Sequence, residues 1–152
     1  MKLSGFTDRK FINLSLEASD KAGVISALCE LLARSRNVRD GEALLRDVMA
    51  REELVTTGVG HGVAFPHAKS DAVSDVTFAF GRTEKGLDFG SLDGEPVRLV
   101  FLIGAPKQME PSRVYLNLMA RLSFLMKSEE NRGLLLRTDS VDEVLELIDS
   151  VG

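Results

Sequence analysis

The run RLVFLIGA, residues 98–105, constrains the fold more than any other stretch of the chain. Its apolar residues fall on successive positions, so as a strand it needs cover on both faces, which only the interior of a layered sheet provides. VTFAFGR (76–82) reads as a second strand of that sheet. FINLSL (11–16) alternates, with Phe11, Asn13 and Ser15 on one face and Ile12, Leu14 and Leu16 on the other, as a half-buried strand does. Val63–Phe65 forms a short strand that Pro66 restricts, because proline cannot donate to a ladder.

Helical segments surround these strands. Ser19 and Asp20 can cap a helix carrying Val24, Ala27, Leu28, Leu31 and Leu32. After a break at 37–41, a second helix runs from about Glu42 with Leu44, Leu45, Val48 and Met49 as its stripe and Arg51, Glu52 and Glu53 at its carboxyl end. Between the two long strands, Gly86, Gly90 and Gly94 suggest an exposed connection with turns. Pro106 and Pro111 bracket a loop before a long helix with Leu116, Met119, Ala120, Leu122, Ser123 and Met126. A short helical piece at 129–136 follows, and a last helix starts at Ser140 with Glu143 three residues on, the capping-box pattern. The expected architecture is α/β: a three-layer α/β/α sandwich around a small mixed β-sheet, in the order one strand, two helices, three strands, three helices. At 152 residues the chain is expected to be a single domain over 1–152.

Composition narrows the function classes. A lone cysteine, Cys29, excludes an internal disulfide framework and sits on the apolar side of a helix, as a core thiol does. Net charge is -4 with lysines and arginines scattered, so the basic footprint of a nucleic-acid binder is missing. No apolar run is long enough to span a bilayer and no hydrophobic secretory segment opens the chain, so a soluble, cytoplasmic protein is expected.

The chemistry-bearing stretch is TTGVGHGVAFPHAKSD, residues 56–71, which holds both histidines of the protein. Gly58, Gly60 and Gly62 permit a loop that puts bare amides close to an anion. No nucleophile elbow, phosphate-binding loop or zinc-ligand set is present. His67 remains: a neutral imidazole is a competent nucleophile, or it merely hydrogen-bonds at a strand end. His61 meets His67 only if the glycines fold the chain back, since in one extended strand the rings would lie roughly 20 Å apart. Arg51 is either a surface helix end favoured by the helix dipole or an anion clamp whose fork suits a phosphoryl group.

Together these residues resemble the enzyme IIA proteins of the mannitol/fructose type in the bacterial phosphoenolpyruvate-dependent sugar phosphotransferase system, nearest to their nitrogen-regulatory branch. Glu52, Val59, Gly60, Val63, Ala64, Pro66, His67 and Ala68 fill the family motif in order, with Phe65 replacing an aliphatic residue. The resemblance covers nearly the whole chain. It implies that His67 is phosphorylated by an HPr-like phosphocarrier protein, that Arg51 belongs to the site, and that the phosphoryl group passes to a IIB domain or signals to a regulatory target. Two positions depart from the pattern: Tyr115 stands where many members keep a second active-site histidine, and His61 stands where glutamate or asparagine is usual. Thr57, Gly60, Gly62, His61 and Tyr115 are the expected phosphoryl-binding or supporting residues. The chemistry calls for no metal or cofactor. The rival reading is a non-catalytic regulatory module on the same fold, like the cytoplasmic domain of an anion transporter.

Overall fold

The computed structural model describes residues 2–108 and 113–150. Two 3-10 turns, Leu3–Phe6 and Arg9–Phe11, lead into β1 (Ile12–Leu16), α1 (Lys21–Leu32) and α2 (Gly41–Leu54). Then come β2 (Gly58–Gly60), β3 (Val63–Ala64), β4 (His67–Ser70), β5 (Thr77–Leu87) and β6 (Val97–Pro106), and finally α3 (Arg113–Met126), α4 (Glu129–Arg137) and α5 (Val141–Asp149). Pro111, expected in the loop before α3, lies outside the described residues.

The sheet is mixed, in the order β1-β5-β6-β3-β2, with β4 also paired to β6. β1 runs parallel to β5, β3 and β4 run parallel to β6, and the β5/β6 and β2/β3 pairs are antiparallel. Helices cover both faces, which gives the three layers. On one side Phe65, Phe78, Phe80 and Phe101 pack with Leu118, Leu122, Val144 and Ile148. On the other, Val100 and Leu102 meet Leu28, Leu32, Leu44 and Val48. Successive residues of β6 thus enter opposite cores, as its unbroken apolar run requires.

Three details differ from the sequence reading. The middle of the chain forms five strands rather than three, because β2 and β4 are also paired. β1 does not keep one apolar face: its register on β5 slips between Asn13 and Leu16, so Ile12 joins the core under α3–α5 and Leu16 the core under α1–α2. In α3 the buried stripe is Tyr115, Leu118, Leu122, Leu125 and Met126, while Leu116 is 59% and Phe124 66% exposed. Asp20 accepts from Gly23 N–H and Ser140 from Glu143 N–H, the caps expected there, and the structure adds Asp40, which accepts from Glu42 and Ala43 N–H.

Candidate active site

The segment from Val63 to Ser70 runs along one side of β6 with a proline in it, β3 lying between β6 and β2 and β4 at the edge. Val63 pairs with Leu99, Ala64 with Val100, His67 with Ile103 and Ser70 with Pro106, a constant register throughout. Pro66 has no N–H to give, but its carbonyl accepts from Ile103 N–H at 3.0 Å, so the strand continues past it. Ala64 and Ala68 face the α1–α2 core, which turns His67 to the opposite face, toward α3.

His67 is half-buried, and its Nδ1 lies 2.8 Å from the carbonyl oxygen of Phe65. A carbonyl only accepts, so Nδ1 carries the proton and Nε2 keeps the free lone pair. Burial lowers the His67 pKa below the ordinary histidine value; the Phe65 carbonyl opposes this, the Arg51 charge adds to it, and the Glu52 charge also opposes it. The ring is therefore neutral and nucleophilic under ordinary conditions.

A shallow depression of about 340 Å³ lies beside this ring, lined by Asp47 and Arg51 of α2, His67, Ala68 and Lys69 of β4, and Tyr115 of α3. Arg51 stands in the last turn of α2, where one guanidinium nitrogen donates to Val55 O at 2.9 Å. That tether fixes the fork and leaves further donors for an anion. The rings of Tyr115 and His67 are 6.0 Å apart between centroids, tilted by 58°. Burial pushes the Tyr115 hydroxyl up to about 12, so it stays a proton donor. Lys69 shares the outward face of β4 with His67, its Nζ lying 5.9 Å from the centre of the Tyr115 ring. Sequence reasoning missed Lys69 and Asp47; the two-residue strand period that puts Lys69 beside His67 was the available signal.

His67, Arg51 and Tyr115 line one depression, but the glycine loop does not join them. Thr57 is buried, and both its N–H and its hydroxyl are spent on Glu52. Gly58 N–H donates to the Thr56 hydroxyl and His61 N–H to Asp93. These amides are satisfied inside the protein and are not aimed at an anion. Gly60, His61 and Gly62 form the turn between β2 and β3, each with positive φ, at the end of the β3–β4 segment away from His67. The extended strand separates Gly62 from His67 by on the order of 15 Å. The exposed His61 instead lines a separate cavity of about 640 Å³ with Asp93, Arg98, Glu129 and Arg132.

The profile of the family described as "Phosphoenolpyruvate-dependent sugar phosphotransferase system, EIIA 2" matches residues 5–151. The fructose-specific EIIA component of Haloferax volcanii is 35% identical over 98% of this chain and 96% of its own length. The fructose-specific EIIABC component of Bacillus subtilis is 35% identical over 97% of the chain, which spans only 23% of that longer protein. Among solved structures, the nitrogen regulatory protein IIA-Ntr of Neisseria meningitidis superposes with a TM-score of 0.89 at 27% identity, covering 96% of this chain and 98% of the other. The chain belongs to the EIIA 2 family of the phosphoenolpyruvate-dependent sugar phosphotransferase system.

Proposed function

We propose that the protein is a phosphoryl-group carrier or regulator of this phosphotransferase system and takes the phosphoryl group on Nε2 of His67. The observation that carries the reading is the Nδ1–H of His67 held on the Phe65 carbonyl, with Nε2 left free in a depression that also holds Arg51. The donor is a phosphohistidine of an HPr-like phosphocarrier protein. The Nε2 lone pair attacks phosphorus in line, the phosphorus–nitrogen bond of the donor breaks, and its electron pair returns to the donor imidazole. Nδ1 keeps its proton, so the phosphorylated ring stays hydrogen-bonded to Phe65. Catalysis is positioning and charge stabilisation, with the Arg51 fork, Lys69 and the Tyr115 hydroxyl meeting the phosphoryl oxygens.

The acceptor is a cysteine of a IIB unit or, in a regulatory protein, the phosphorylation state is itself the output. The Bacillus subtilis EIIABC name and the Neisseria IIA-Ntr name support one branch each. Among the described residues no helix is long and apolar enough to cross a membrane, in keeping with a cytoplasmic carrier. Incubation with a radiolabelled phospho-HPr donor should give acid-labile label that His67→Ala abolishes. Absence of label on the wild type, or label surviving His67→Ala, overturns the reading.

A further inference from the structure

The segment between α2 and β2 is held by more polar contacts than a connecting loop needs. Lys21, the first residue of α1, donates from Nζ to Glu52 Oε2 at 3.1 Å and to Phe89 O at 3.2 Å. The Glu52 side chain is only 3% exposed, and both of its oxygens are turned on Thr57: Oε2 accepts Thr57 N–H at 2.8 Å and Oε1 accepts the Thr57 hydroxyl. Thr57 O then accepts Phe65 N–H at 3.0 Å, and Phe65 O accepts Nδ1–H of His67 at 2.8 Å. Contact follows contact from the start of α1 to the reactive ring.

Stability is a poor reason to bury that ion pair, since well-packed apolar residues of similar volume often serve as well or better. Geometry supplies a better one. The peptide plane that carries the Phe65 carbonyl ends in the nitrogen of Pro66, which has no N–H to anchor it. Its orientation depends on the residue before the proline, and Phe65 is fixed there twice: by its N–H on Thr57 and by its ring, stacked on Phe101 at 5.4 Å. The Glu52 carboxylate fixes Thr57 in turn. We propose that Lys21, Glu52 and Thr57 are positioning residues for the nucleophile, aiming the Phe65 carbonyl at Nδ1 and so holding His67 in the tautomer that leaves Nε2 free. The functional consequence rests on the carrier reading above; the tautomer itself does not.

The test uses Glu52→Gln and Thr57→Val in a His61→Ala background, where His67 is the one remaining imidazole, with nitrogen NMR of the ring and phosphorylation by phospho-HPr read side by side. Ser140→Ala, which removes the α5 cap far from the relay, controls for lost stability. The expected result is a single Nδ1–H tautomer in the background protein and in the Ser140→Ala control. Both relay variants should show a second tautomer and take phosphate at least about tenfold more slowly. If Glu52→Gln does not fold, Thr57→Val decides, since it keeps the backbone bond to Glu52. A single unchanged tautomer and an unchanged rate in a folded relay variant overturn the proposal, as does an equal tautomer change in Ser140→Ala. If the tautomer shifts but the background protein accepts no phosphoryl group, the positioning stands and the carrier reading falls.

Discussion

At the scale of residues, His67 is set apart from an ordinary histidine by burial. The charged and titratable groups that face it are Asp47, Arg51 and the nearby Glu52 of α2, Lys69 of β4 and Tyr115 of α3. Its pKa lies below the free value of about 6.5, so the unfolded chain protonates first as pH falls. Acidification from about 6.5 down to the folded pKa therefore favours unfolding, and over that window stability rises with pH. His67→Gln should flatten this slope, measured as unfolding free energy against pH. The rate of phosphoryl acceptance should hold through neutrality and fall only below the free-histidine range. Arg51→Gln should move that acid limb upward, because the cation that disfavours a second positive charge is gone. Arg51→Lys keeps the charge but loses the fork, and should slow acceptance by about tenfold or more. His61→Ala, remote from the depression, should label like the wild type; a large loss of label there would contradict the turn position of His61.

At the scale of elements, the polar staples show how much of the site could be read from residue order. The helices were legible because their signals are local: Asp20 and Ser140 each accept from the amide three residues on. β2 and β4 were not, since GVG and HAKS carry no period of their own and are strands only through pairing. The face of α3 was misread because apolar residues ring the helix, and spacing cannot tell Tyr115 and Leu118 from Leu116 and Phe124. His67 and Arg51 could be singled out because a motif spans strand and helix, and both line the same depression. The partners of the Thr57, Gly58 and His61 amides could not be read from residue order, because Glu52, Thr56 and Asp93 are brought to them by the fold. β2 also carries a testable defect. Among the described residues the Ser91 hydroxyl is buried without a hydrogen-bond partner, and a Cβ on Gly58 would come within 2.1 Å of it. Ser91→Ala should therefore be neutral or stabilising by up to about 1 kcal/mol. Gly58→Ala should cost about 1–3 kcal/mol through overpacking. Chemical denaturation of both variants checks the pair.

At the scale of the molecule, the two cores share β6, so they cannot be lost independently. Phe101 lies under α3–α5 with Phe65, Phe78 and Phe80 around it, whereas Cys29 lies across the sheet under α1, 2% exposed, with burial pushing its thiol up to about 12. A thiol so placed is inert to alkylating reagents in the folded state and reacts only when the α1–α2 layer opens. If that opening is global, the labelling rate reports overall stability. Phe101→Ala removes a large ring from the other core and should cost about 3–5 kcal/mol. Because neighbouring β6 residues enter both cores, the same free energy should reach Cys29, raising its labelling rate by roughly a hundredfold or more under native conditions. Leu54→Ala, at a side chain 77% exposed, should leave the rate near that of the wild type. Fast labelling of the wild type, or a rate indifferent to Phe101→Ala, would mean that the α1–α2 layer detaches from the sheet by itself. The helix that carries Arg51 would then move without β4, and the geometry between Arg51 and His67 would be only one of several that the protein visits.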